Sequence, residues 1–307
     1  MSLGTLSLRL PATSANLGPG FDALALALSL YLDIEASPGH EYSIDATGRN
    51  AEICGSIERN LLLHTYKTVL QQQGVQEIPL AIKMHNDIPI GMGLGSSAAT
   101  RLAGVALAAH FGSLAWDRSR ILTEASRLEG HPDNTAACWL GGLTVGCWNG
   151  DEVEAISLTP RASWQALVVL PQKPLPTVIS RKVVPQTFNR ADVVANLQRV
   201  ALLTAAFSTG HAELLATAVE DRMHQPYRAD ACPLLKNLLP LSGKNDILSV
   251  TLSGAGPSVL LLVEFRSQLD ASKQLILKYV ADEPVEIIAC NIEVNAATCQ
   301  QRQAITK

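Results

Sequence analysis

DIPIGMGLGSSAAT, residues 87–100, joins two stretches of different periodicity, and its reading decides the fold of the first half of the chain. Ahead of it, Leu80, Ile82 and Met84 alternate with Ala81, Lys83 and His85, the period-two pattern of a half-buried strand. Behind it, Leu102, Val105, Ala106, Ala109 and Phe111 recur at roughly helical spacing. The segment therefore reads as strand, glycine loop, helix. Three glycines and two serines at a helix start leave backbone N–H groups unpaired where the helix dipole is positive, which suits a phosphate. No Gly-Lys-Ser/Thr follows, so it is not a Walker A loop, and Ser96 stands where a dinucleotide fingerprint needs its third glycine. A serine-capped turn without a ligand would carry the same residues.

Working outward, Leu6, Leu8 and Leu10 alternate as a strand, a Gly/Pro-rich loop spans 12–20, and an apolar strand covers about 25–36. Helices are expected at 60–73, 117–128 and 132–140, and strands at 142–148 and 152–158. The second half reads as a strand (165–170), a helix pair (191–209 and 212–224), two strands (247–252 and 258–264), a helix (268–280) and a last strand (about 285–294). That order is β-α-β-β-α-β with the first helix doubled, the split βαβ arrangement. A division into residues 1–160 and 161–307 follows, and 307 residues suffice for two domains of ordinary size.

Composition excludes several classes. Hydrophobic residues make up 47% and charged residues 17%, enough to bury a large core. A net charge of −4, from 24 Lys+Arg against 28 Asp+Glu, offers no basic face for nucleic acid. The longest nearly apolar run, 23–32, is about half of what a bilayer crossing needs, and no secretory pattern opens the sequence, so neither a membrane nor a secreted protein is expected. Six cysteines without a C-x-x-C pair suit free thiols in the cytoplasm, and seven scattered histidines suggest no structural metal.

Three further segments concentrate chemistry. TLSGAGPSVLL (251–261) is a second glycine loop, in isolation merely a tight turn; two such loops meet on one ligand only if the two halves pack together. LEGHPDN (128–134) gathers two carboxylates, an imidazole and an amide at a helix junction, where Asp133 or Asn134 could simply cap; beside a phosphate loop, Glu129 is the hard oxygen ligand that Mg²⁺ takes. PATSANLGPGFD (11–22) ends in Asp22, set against the apolar run that follows, where an unpartnered carboxylate would be costly. Arg181 and Arg228 are planar donors for a carboxylate if the substrate has one.

Taken in order, PATSANLGPGFD, PIGMGLGSSAA (89–99), EGHPDN (129–134), EDRMHQPYR (220–228) and LSGAGPS (252–258) resemble the GHMP small-molecule kinases over nearly the whole chain. The first of these motifs is similar to the form carried by the homoserine-kinase branch. The resemblance implies an α+β fold of two domains, the first like domain 2 of ribosomal protein S5 and the second ferredoxin-like, with ATP and an amino alcohol between them. It implies that Pro89, Ile90, Gly91, Met92, Gly93, Leu94, Gly95, Ser96, Ser97, Ala98 and Ala99 wrap the ATP phosphates. Ser97 and Glu129 would hold Mg²⁺, and Asn60 would help seat the adenine. Asn16, Asp22, His131 and Asn134 would surround the amino-alcohol end of L-homoserine, and Arg181 and Arg228 would clamp its carboxylate. Asn134, Glu129 and Ser97 would be the catalytic set, with no nucleic-acid or membrane partner and with a homodimer left open. Met92, Thr100 and Arg101 depart from the smaller residues common at these positions.

Overall fold

Alternating Leu6, Leu8 and Leu10 bury one face of a strand that continues well past them. In the computed structural model, which describes residues 4–175, 177–264, 269–280 and 283–302, this β1 (Thr5–Asn16) pairs antiparallel with β2 (Gly20–Pro38). There follow β3 (Ser43–Gly48), α1 (Ala51–Cys54), α2 (Leu61–Gln72), β4 (Leu80–Asn86), α3 (Ser96–Phe111), α4 (Arg118–Glu129), α5 (Asp133–Leu140), β5 (Leu143–Asn149) and β6 (Glu152–Leu158). The second half contains β7 (Trp164–Pro171), α6 (Thr177–Lys182), α7 (Arg190–Thr209), α8 (Leu215–Ala218), α9 (Gln225–Arg228), α10 (Pro233–Leu238), β8 (Ile247–Leu252), β9 (Val259–Glu264), α11 (Leu269–Val280), β10 (Val285–Asn291) and β11 (Thr298–Arg302).

The first sheet has the order β11-β1-β2-β4-β3, and the long β2 also pairs with β5, which pairs with β6. Its residues 32–38 meet β4 and its residues 24–26 meet β5. Helix α3 lies at the centre of this half and is buried along nearly its whole length, so it is built from small and apolar residues. At Gly104 a Cβ would come within 2.6 Å of Thr65 Cβ, so the glycine sets how closely α2 and α3 approach.

The second sheet runs β10-β7-β9-β8, every pair antiparallel, which is the fourth-first-third-second order of the ferredoxin-like arrangement expected from the sequence. Strand alternation divides its faces. Ala166, Val168, Leu170, Leu260 and Leu262 join the core of the first half, whereas Leu167, Val169, Val259, Leu261 and Val263 pack with α10 and α11. One continuous apolar core therefore ties the two sheets together.

Three expectations need correction. The loop proposed for 12–20 shrinks to residues 17–19, because β1 carries buried Thr13 and Ser14 within the ladder and absorbs them through register shifts at 11/12 and 15/16. The helix proposed for 212–224 breaks up: Gly210, at φ 84°, ends α7, a 3₁₀ turn and the short α8 follow, and the Asp221 carboxylate then collects the N–H groups of Met223, His224 and Gln225 to start α9. The last strand ends at Asn291, and the chain returns to add β11 beside β1. Residues 298–302 therefore pair with the first sheet although they follow the second in the chain. Gln268, the expected start of the last helix, lies outside the described residues. Among the described residues no helix is long and apolar enough to cross a membrane.

Candidate active site

The glycine loop is shaped by what touches it. Gly91, Gly93 and Gly95 all have positive φ (74°, 74° and 68°), and Gly95 forms the N-cap of α3. A Cβ on Gly95 would lie 1.9 Å from Thr13 Oγ1, and one on Gly93 would lie 2.2 Å from the carbonyl oxygen of Ser253. Thr13 N donates to Leu94 O at 3.1 Å, fixing the loop to β1. From the second half, Ser253 Oγ donates to Gly93 O at 2.7 Å and lies 2.8 Å from Ser14 Oγ. Gly254 N donates to Ala15 O (3.1 Å), and Asn16 Nδ2 donates to Gly254 O (2.9 Å). The two glycine loops and the first motif thus meet, the two halves being packed together there.

Helix α4 ends on Glu129, where Gly130 turns through φ 93° into the junction with α5. Glu129 Oε2 accepts from Ser97 Oγ and from Arg101 Nε, each at 2.8 Å. Arg101, a departure in the sequence, is therefore the counterion of Glu129. The His131 Nδ1–H donates to Asp133 Oδ1 at 2.5 Å, and the same oxygen accepts from Asn134 N at 2.6 Å. Burial pulls the His131 imidazole down, but the hydrogen bond and charge of buried Asp133 outweigh it, and its pKa stands above the usual value. Asn134 Oδ1 accepts from Thr13 Oγ1 at 2.6 Å.

The opposite wall is charged. Asp22, at φ 56°, is held by its N–H to Asn16 Oδ1 (3.0 Å) and takes both arms of Arg181, at 2.6 and 3.2 Å. Asp22 therefore has the partner that its apolar setting required. The sequence had offered the two residues to opposite ends of one substrate, whereas here they face each other. Arg228 is only 1% exposed and donates to Ser180 O (3.1 Å), His224 Nδ1 (3.1 Å) and Gly254 O (3.2 Å). Burial, with the like charge of Arg181, pulls its pKa down to about 10, so it stays cationic at neutral pH. The Phe21 ring lies 5.7 Å from the Arg181 guanidinium and 5.3 Å from that of Arg228.

One cavity joins the two walls. Asn16, Gly91, Gly93–Ser97, Glu129, His131, Asn134, Arg181 and Arg228 line it, with Asp133, Gly254 and Ala255. Asp22 comes to it through Arg181 and lies close to His131 and Asp133, the three offering ligand atoms within 4.8 Å of one another. Asn60 does not reach this cavity. Its Oδ1 caps α2 by accepting from Leu62 N and Leu63 N (3.0 and 3.2 Å), and its Nδ2 donates to Cys54 O at 2.6 Å. Pro89, Ile90, Met92, Ala98 and Ala99 are also outside the lining; Ala98 and Ala99 are fully buried beneath the loop. Sequence reasoning gave no role to Thr13, Ser253 or His224, each visible only as part of a quoted motif.

Such a cavity can take a polyanion on backbone N–H groups at one end and a small zwitterion on paired charges at the other. Ser97 Oγ and Glu129 Oε2 are hard oxygen donors at the polyanion end, and this donor set fits Mg²⁺.

The comparisons with known proteins agree with that chemistry. Residues 60–142 match the family described as GHMP kinases N terminal domain, and residues 202–280 match GHMP kinases C terminal. Over 260 residues the chain is 45% identical to the homoserine kinase of Solibacter usitatus, covering 84% of each chain. It is 41% identical to that of Streptomyces coelicolor, covering 83% of this chain and 84% of the relative. In fold it is similar to the crystal structure of homoserine kinase from Cytophaga hutchinsonii, with a TM-score of 0.78 and 23% identity over 97% of this chain and 98% of the other. The chain belongs to the GHMP kinase family, among its homoserine kinases.

Proposed function

We propose that this chain transfers the γ-phosphoryl group of ATP to the side-chain hydroxyl of L-homoserine, giving ADP and O-phospho-L-homoserine. The observation that carries the reading is the cavity in which the glycine loop and the start of α3 face Arg181, Arg228 and His131, with the Asp22 carboxylate paired to Arg181 behind them. In this reading Gly91 and residues 93–97 hold the phosphates, Arg228 and Arg181 take the substrate carboxylate, and Asp22 with Asn16 attracts the ammonium group. Ser97 and Glu129 would hold Mg²⁺, which when bound neutralises charge on the β- and γ-phosphates.

The hydroxyl oxygen forms its bond to the γ-phosphorus as the bridge to the β-phosphate breaks. Its proton needs a destination. The Asn134 amide accepts no proton at neutral pH and is already engaged by Thr13. Asp133 engages His131 Nδ1 and, against the effect of burial, holds the imidazole pKa above its usual value, which suits it to binding substrate oxygens as a donor. We therefore assign the proton to the transferring phosphoryl group, which a loose transition state tolerates, leaving positioning and electrostatics to lower the barrier. Six unpaired cysteines fit a reaction in the reducing cytoplasm.

The test is ADP release measured with homoserine, threonine, serine, mevalonate and shikimate. Homoserine leads by a wide margin. Turnover led by mevalonate or shikimate would reject the zwitterion site.

A further inference from the structure

Arg228 can receive a carboxylate only if its guanidinium is already aimed into the cavity, and the structure shows what aims it. His224 is fully buried, with its ring stacked on Phe21 at 5.2 Å between centroids and 22° between planes. Its Nε2 lies 2.7 Å from Gly18 O, and its Nδ1 lies 3.1 Å from Arg228 Nη1. A carbonyl oxygen only accepts and a guanidinium only donates, so the imidazole must carry its proton on Nε2 and a lone pair on Nδ1. The ring therefore bridges the first-motif loop, which begins the substrate wall, to the arginine that completes it. Gly18 packs closely on the chain after α8, since a Cβ there would lie 2.0 Å from Val219 O.

Other groups agree with this tautomer. Burial pushes the imidazole pKa below its usual value and Arg228 adds to the effect, against the pull of Asp221 and Asp22. Asp221 Oδ2 lies 3.4 Å from Nε2, yet its carboxylate is committed to three backbone N–H groups and to Asn196 Nδ2. The remaining Arg228 bonds, to Ser180 O and Gly254 O, occupy Nε and share Nη1; among the described residues no hydrogen bond engages Nη2.

We infer that His224 is a positioning residue for carboxylate recognition: a neutral acceptor that locks Arg228 and registers it against the turn at Gly18, between Asn16 and Asp22. The inference deepens the proposed function and rests on it.

Two substitutions separate the ring's two roles. His224→Gln keeps a donor near Nε2 but offers Arg228 no acceptor, and His224→Asn keeps an acceptor near Nδ1. Wild type is first assayed with homoserine and with 3-aminopropan-1-ol, the same amino alcohol lacking the carboxylate. Failure of wild type to phosphorylate homoserine overturns the substrate assignment, with its own readout. In His224→Gln the KM for homoserine rises about tenfold or more, while kcat and the KM for ATP change by less than about threefold. The preference for homoserine over 3-aminopropan-1-ol falls by the same factor, and His224→Asn recovers most of it. Equal losses toward both alcohols, or equal behaviour of the two variants, would reduce His224 to packing and overturn the inference. An independent readout uses wild type alone: ¹⁵N spectra of the imidazole show Nε2 protonated and Nδ1 bare across neutral pH. A proton on Nδ1 overturns the inference even if neither variant folds.

Discussion

The two ends of the cavity are built on opposite plans. The phosphate end is mostly backbone, with glycines whose shape is enforced by Thr13 and Ser253. The acceptor end is mostly charged side chains that answer one another. A backbone site binds any well-shaped polyanion, whereas a charged site discriminates, because an incorrect ligand leaves its groups without partners. The two arginines divide that task. Arg181 is 36% exposed and shares its guanidinium with Asp22, a pair worth about 0–1 kcal/mol at such exposure, so a substrate can rearrange it cheaply. Arg228 is buried among neutral acceptors, and a substrate carboxylate is the anion it lacks.

The largest effect should come from the phosphate end. Glu129→Gln is expected to lower kcat by about 100-fold or more with the fold intact, measured as turnover against Mg²⁺ concentration. Unchanged turnover and Mg²⁺ dependence would move the metal role elsewhere. The contrast between the arginines comes next. Arg228→Ala should cost about 2–4 kcal/mol in kcat/KM for homoserine, and Arg181→Ala about 1–2 kcal/mol, because Asp22 is then left free to take the ammonium. The reverse order would break the comparison between buried anchor and adjustable partner.

The smallest effect concerns His131. Its folded pKa is raised, so the stability it contributes is complete below the unfolded value of about 6.5 and is lost as pH rises through the folded pKa. The difference in denaturation midpoint between wild type and His131→Asn should be constant at acid pH and shrink on the alkaline side. A difference that grows with pH would mean that the imidazole is held neutral.

What the sequence made legible was local. The glycine loop, Gly95 at the head of α3 and the alternation of β4 declare themselves within a dozen residues, and the order of elements in the second half gave its sheet. Long-range pairings were illegible. Nothing within Asp22's neighbourhood points to Arg181, 159 positions away. Arg101 looked like a departure because its partner, Glu129, stands at the end of another helix. Buried Thr13 and Ser14 read as loop because polarity ordinarily marks solvent, and here it marks contact with Asn134 and with Ser253. Asn60 shows that a residue singled out for a ligand can also carry local structure: its amide oxygen caps the first turn of α2.

The return of β11 to the first sheet reaches beyond the site. Thr5–Arg9 pair with residues 298–302, contacts that span almost the entire sequence, so the first strand made is among the last to be covered. Long-range closure of this kind slows folding and lengthens the time during which a nascent chain carries an open edge. A chain cut near residue 160 would keep the phosphate loop and β2 beside β1 but leave the outer edge of Thr5–Arg9 open as a template for aggregation. The two halves can be distinguished by sheet, yet they share a strand partner and an apolar core, with Ala166, Val168, Leu170, Leu260 and Leu262 packed into the first half.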